Sequence, residues 1–184
     1  MERKVANNRY LTISRALAKT QGLATFLQGD IRYLPSWCCP AFLAAERTML
    51  AWGRKASAAA AERCAAKLGL PVCYLEDAFL RSVGQGFNSA PCGLVLDDLG
   101  IYYDAGAASR LEQLITTPLT SSEQKEALAL PGLWRQHRVS KYNNSPDYQL
   151  SFTQPYVLLI DQTFNDASVH YGQASADSFR LMLR

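Results

Sequence analysis

Two groups of carboxylates stand where α/β proteins commonly do chemistry. Glu76 and Asp77 follow directly on the apolar stretch Val72-Cys-Tyr-Leu75, and Asp161 and Asp166 lie at and after the end of Tyr156-Val-Leu-Leu-Ile160. If both stretches are strands of an open sheet, these acids fall at the carboxyl ends, outside which the ligand crevice of such sheets lies. Carboxylates from two such loops can divide the work at a glycosidic centre into nucleophile and general acid or base. The rival reading is that they cap helices or turn the chain, positions that Asp favours. Trp52-Gly-Arg-Lys55 brings two cations to a helix start, where free backbone N–H groups favour a phosphate or carboxylate. Two solvated cations ahead of a helix fit the same residues.

Other motifs carry less. Gly84-Gln-Gly86 lacks the third glycine of a dinucleotide fingerprint and reads as a loop. Asp97, Asp98 and Asp104 surround a turn, so turn chemistry outweighs a metal site. His137 and His170 are too far apart for a zinc motif, and no metal is expected.

The elements that must position these groups follow from periodicity and punctuation. Tyr10, Ile13 and Leu17 have helical spacing, which predicts a short helix over Arg9 to Lys19. Thr48-Met-Leu-Ala-Trp52 reads as a buried strand closed by Gly53. Ser57 is the expected N-cap of an alanine-rich helix, Ala58 to Leu68, stopped by Gly69 and Pro71. With Val72–Leu75 as the next strand, residues 48–75 have the strand–helix–strand rhythm of a parallel sheet. Gly93–Asp97 and Ile101–Tyr103 predict a hairpin around Asp98-Leu-Gly100. Ser109 to Ile115 reads as a short helix, and Thr120-Ser-Ser-Glu123 as a capping box opening another toward His137, divided or kinked at Pro131-Gly132. Asn143–Asp147 is a candidate linker, Tyr156–Ile160 a buried strand, and Phe179–Leu183 part of a helix.

The chain has 184 residues, 48% of them hydrophobic and 19% charged, which supports a packed core and excludes a disordered chain. No apolar run approaches the roughly 20 residues of a bilayer span, and Asn7-Asn-Arg9 interrupts the place of a signal sequence, so a cytoplasmic location is expected. Five cysteines without a C-x-x-C pair suggest reduced thiols. The net charge is +3, with the basic residues concentrated before residue 70. That half suits anionic lipid, sugar acid or plain solvent; no nucleic-acid motif accompanies it, and no nucleic acid is expected as a partner.

Five collinear segments together resemble the capsular polysaccharide biosynthesis proteins of the KpsC type. They are Trp52–Lys55 with Ser57, Leu75–Gly84, Leu94–Asp104, Ser140–Asn143 and Asp161–Val169. The resemblance implies an α/β, Rossmann-like parallel sheet domain over residues 1–150, the acceptor side of a GT-B-like two-domain glycosyltransferase. Residues 151–184 would begin the second, donor-nucleotide-binding domain, which is truncated here, since the family's His-Pro motif does not occur before Arg184. The implied activity is retaining transfer of Kdo, a 3-deoxy-octulosonic acid, from CMP-Kdo to a lipid-linked acceptor. The sugar nucleotide is a substrate and no cofactor is implied. On this likeness Asp166 is the nucleophile, Glu76 the acid facing it, and Arg54, Lys55, Arg81, Gln162 and Ser168 bind substrate. Peripheral attachment at the inner membrane and capsule assembly proteins as partners would fit. The alternative is a non-catalytic assembly or export component of the same fold.

Overall fold

The computed structural model describes residues 8–35, 37, 46–85, 89–146, 151–163 and 165–183. Strands β1 (Asn8–Thr12), β2 (Gly29–Tyr33), β3 (Thr48–Trp52), β4 (Val72–Asp77) and β5 (Leu94–Asp97) form one sheet in the order β2-β1-β3-β4-β5. The first four are parallel, and β5 runs antiparallel to β4 with Leu75 opposite Leu96. The helices are α1 (Arg15–Ala18), α2 (Leu23–Leu27), α3 (Ala56–Leu68), α4 (Arg110–Thr116), α5 (Ser121–Gln136), α6 (Ala167–Tyr171) and α7 (Ala176–Leu181). No described helix is long and apolar enough to cross a membrane.

Successive residues of a strand point to opposite faces, and here helices cover both. Met49, Ala51 and Tyr74 pack with Ala58, Ala61, Cys64 and Ala65 of α3. Leu50, Cys73 and Leu75 pack on the other face with Leu17 of α1 and Leu23 and Leu27 of α2. Burial on both faces is why β3 and β4 read as continuous apolar runs rather than alternating ones. Leu70 N–H donates to the Ala65 carbonyl at 2.9 Å behind Gly69 in the left-handed conformation, the helix stop expected from the sequence. The strand–helix–strand unit over 48–75 stands as anticipated, and Glu76 is the fifth residue of β4, near its carboxyl end.

Several expectations are corrected. The helix over Arg9–Lys19 is split: Ser14 Oγ accepts from Leu17 N–H and starts α1, while Asn8–Thr12 is a strand between β2 and β3. Tyr10, Leu11 and Thr12 are consecutive buried residues, which a strand covered on both faces accommodates and an amphipathic helix does not. α3 starts at Ala56 behind Lys55, so Ser57 lies in its first turn instead of capping it. Ile101–Tyr103 forms no strand and no hairpin. Buried Asp97 takes over the turn: Oδ1 accepts from Leu99 and Gly100 N–H at 3.0 and 2.9 Å, and Oδ2 from Arg110 N–H at 2.9 Å. α5 continues through Pro131 and Gly132, so the helix is not divided there. Tyr156–Ile160 is neither strand nor buried, since no described strand lies beside it to complete its hydrogen bonds.

The capping boxes at Ser109–Glu112 and Thr120–Glu123 are both formed. Asn143 of the candidate linker is tied down, its N–H donating to the Val83 carbonyl at 2.7 Å. Asp147 of that linker, Gly86, Cys38 and Cys39 lie outside the described residues. Cys64 and Cys73 are buried and Cys92 is exposed, and none of the three is in a disulfide; burial pushes the Cys73 thiol up to about 11.

Candidate active site

The carboxyl end of β4, the turn from β3 into α3, and the turn after β5 converge on Glu76. Its Oε1 accepts from Asp77 N–H at 3.0 Å and its Oε2 from the Tyr103 hydroxyl at 3.4 Å. Burial raises its carboxyl above the ordinary range, and the Asp77 N–H and the nearby Lys55 only partly offset that. Asp166 is the N-cap of α6, and its Oδ1 accepts from Ser168 N–H at 2.8 Å and from the Ser168 hydroxyl at 2.7 Å. These two hydrogen bonds, joined by the positive fields of Lys141 and Lys55, hold its carboxyl below the usual value. Gln162 Nε2 donates to Ser168 Oγ at 3.2 Å, so Gln162, Ser168 and Asp166 form one hydrogen-bonded chain.

Glu76 and Asp166 share electrostatic neighbours. Lys55 acts on both, and the Tyr102 phenol, raised chiefly by burial, is raised further by Glu76, Asp77 and Asp166. Lys55 is exposed, with its ammonium 5.7 Å from the centroid of the Trp52 ring. Lys141 takes a similar position 5.8 Å from the Tyr142 ring. Its segment is anchored by Arg81 N–H donating to the Lys141 carbonyl at 3.0 Å and by a parallel bridge between Ser82 and Tyr142. Both ammonium groups lower the Asp166 carboxyl through their charge, and neither is ion-paired with it among the described residues.

Arg54 and Arg81 occupy different positions. Arg54 Nε donates to Asp104 Oδ2 at 2.8 Å, and Nη1 donates to Glu62 Oε1 and to the Tyr74 hydroxyl, each at 3.0 Å. The guanidinium also lies over the Tyr74 ring at 4.7 Å and the Tyr171 ring at 5.8 Å. It locks β3, α3, β4, the turn after β5 and α6 together, with its donors turned into the protein. Arg81 donates from Nε to Asp77 Oδ1 at 3.2 Å and from Nη1 to Ser82 Oγ at 2.8 Å, which braces the loop after β4.

A groove of about 670 Å³ runs along the C-terminal segment. Asp161, Gln162, Asp166, Val169, His170 and Phe179 are among its lining residues, whereas Glu76 and Lys55 are not. Asp166 is thus the one of the two carboxylates that lines this groove. Sequence reasoning missed Tyr102, Tyr103 and Lys141 as members of the site. Their only signal was a place inside the segments Leu94–Asp104 and Ser140–Asn143.

The pattern matches known proteins. Residues 47–145 match the family described as capsule polysaccharide biosynthesis protein. The capsule polysaccharide modification protein LipA of Neisseria meningitidis serogroup B is 37% identical, over 99% of this chain and 26% of the relative. The lipopolysaccharide-processing protein LpsZ of Rhizobium meliloti is 34% identical over 63% of this chain and 28% of its own. Among solved structures, the KpsC beta Kdo 2,4 transferase of Thermosulfurimonas dismutans superposes with a TM-score of 0.84 at 37% identity. That likeness covers 97% of this chain and 56% of the other. The beta Kdo 2,7 transferase of the same organism shares the fold, with a TM-score of 0.63 at 22% identity over 89% of this chain and 50% of its own. The chain spans about a quarter of the length of the curated relatives and about half of the solved chains. With the family match and LipA covering it so broadly, the chain belongs to the capsule polysaccharide biosynthesis protein family.

Proposed function

We propose that this chain supplies the first half of a retaining Kdo transferase module, which moves Kdo from CMP-Kdo to a lipid-linked acceptor in capsule assembly. Residues 1–150 form the acceptor-side domain and 151–184 open the donor-nucleotide domain. The observation that carries the reading is the pair of carboxylates around Lys55 with opposite environments. Asp166 is held ionised by Ser168, and Glu76 is raised by burial. Carboxylates whose surroundings push them apart divide the acid–base roles between them.

Asp166 then attacks the anomeric carbon of Kdo, and CMP leaves with the bonding electrons as a phosphate monoester, which needs no proton. The glycosyl ester is opened by an acceptor hydroxyl, whose proton passes to Glu76 while the Asp166 carboxylate is released. Two displacements at one carbon preserve its configuration. A raised carboxyl makes Glu76 a better proton acceptor than an ordinary glutamate. Lys55 and Lys141 face the sugar carboxylate, and Gln162 and Ser168 keep Asp166 aimed. Arg54 and Arg81 hold the scaffold and act on substrate only through it.

The test uses a polypeptide that spans the whole two-domain module. Asp166→Asn lowers Kdo transfer by roughly 10³-fold or more, and Glu76→Gln by about 10²-fold or more. Intact-mass measurement with donor alone shows a Kdo adduct on wild type that disappears in Asp166→Asn. Normal turnover by Asp166→Asn, or an adduct mapped to another residue, removes it from the mechanism.

A further inference from the structure

Glu76 is held by hydrogen bonds on both carboxylate oxygens, and the bond on Oε2 has an unusual construction. The Tyr103 hydroxyl accepts from Arg54 N–H at 2.9 Å, so its own proton is directed at Glu76 Oε2, 3.4 Å away. The phenol cannot swing aside easily: its ring stands edge-on to Tyr102, with centroids 5.4 Å apart, and packs against the core on the α3 face of the sheet. Gly53 keeps the gap open. A Cβ at that position would lie 2.2 Å from the Tyr103 hydroxyl oxygen and 2.6 Å from Glu76 Oε2, and its φ of +45° is itself unfavourable for other residues. The β3–α3 turn, β4 and the turn after β5 therefore meet at one hydrogen bond.

We propose that Tyr103 is the positioning residue for Glu76, fixing Oε2 toward the shared site and setting the pH at which that carboxylate can accept a proton. The proposal rests on the reading that Glu76 takes the acceptor proton. The groups facing Glu76 are Asp77 from β4, Trp52 at the end of β3, Lys55 from the β3–α3 turn, and Tyr102 and Tyr103 from the turn after β5, with Asp166 at the N-cap of α6 acting on Tyr102. Of these, Trp52 and Tyr103 hydrogen-bond Glu76 through their side chains, and Tyr103 is the one of the two whose donor hydrogen can be deleted or strengthened with little change of shape. A 3.4 Å separation is long for an O–H···O bond, and such contacts tighten when substrate closes the site.

The experiment compares pH profiles of Kdo transfer in the two-domain module. A phenol that donates to a carboxylate favours its charged form. Tyr103→Phe should move the acidic limb of the profile up by about one pH unit, and a fluorinated tyrosine at position 103, a stronger donor of nearly the same shape, should move it down. Opposite shifts support the proposal, and limbs that superimpose on wild type overturn it. If Tyr103→Phe does not fold, the fluorinated protein decides alone. Glu76→Gln run alongside separates the two levels. Normal transfer by that variant overturns the proposed function, whereas a dead Glu76→Gln with unmoved limbs overturns only the role of Tyr103.

Discussion

Thr48-Met-Leu-Ala-Trp52 and Tyr156-Val-Leu-Leu-Ile160 are equally good apolar pentapeptides, yet Leu50 is fully buried and Leu158 is 72% exposed. The first has β1 and β4 on either side and helices over both faces; the second has no strand beside it among the described residues. An apolar run becomes a strand only when neighbours complete its backbone hydrogen bonds and cover its side chains. The front of the molecule supplies those neighbours to itself. The C-terminal segment holds to the front through α6, where Ala105 N–H donates to the Tyr171 carbonyl at 3.0 Å and the Tyr171 ring lies by Arg54.

The sharpest way to break this contrast is to make the same truncation in both pentapeptides. Leu50→Ala should cost about 3 kcal/mol, the transfer loss plus a cavity that packed neighbours cannot fill. Leu158→Ala should change stability by less than about 0.5 kcal/mol, as surface substitutions do. Denaturant unfolding followed by circular dichroism measures both. Equal losses would mean that the two runs share one kind of environment.

The legible parts of the fold are those written in local chemistry. The capping box at Thr120 and the stop at Gly69 need only neighbours in sequence, and both were anticipated at their residues, as was the short helix from Ser109, whose capping box with Glu112 the structure adds. β1 was misread because Tyr10, Ile13 and Leu17 imitate helical spacing, while the pairing that makes Asn8–Thr12 a strand comes from residues 29–33 and 48–50. The site follows the same division. Glu76 was singled out at the end of a strand that forms, Asp166 after a stretch that does not become one. That Arg54 turns inward was not visible, because its partners Glu62, Tyr74 and Asp104 lie 8 to 50 residues away. Tyr103 stayed hidden in the second arm of a hairpin that does not form.

Arg54 is where the two regions are joined, so removing it tests whether they are coupled. Arg54→Met keeps the apolar stem but leaves Asp104, whose side chain is only 10% exposed, without its cation. Breaking a largely desolvated pair leaves the remaining charge unsatisfied, and a loss of about 2 kcal/mol is expected for one that retains some access to water. Hydrogen exchange should quicken at α6 as well as around Asp104. Faster exchange at the front alone would show that Tyr171 gains nothing from the guanidinium over its ring.

The smallest effect compares one carboxylate from each region, and its sign is what counts. Burial raises Glu76 in the folded protein, so between the unfolded and folded values the native state binds the extra proton, and stability falls as pH rises through that window. Asp166 is lowered by its bonds from Ser168, so it contributes stability above the unfolded aspartate value and loses it as pH falls through the folded one. Glu76→Gln should therefore be more stable than wild type at neutral pH, with the advantage shrinking on acidification. Asp166→Asn should be less stable at neutral pH and converge with wild type in acid. Urea midpoints between neutral and acidic pH read both curves. Variants that ran parallel to wild type throughout would place both carboxylates in ordinary surroundings, and the division of labour between a buried proton acceptor and an ionised nucleophile would lose its physical basis.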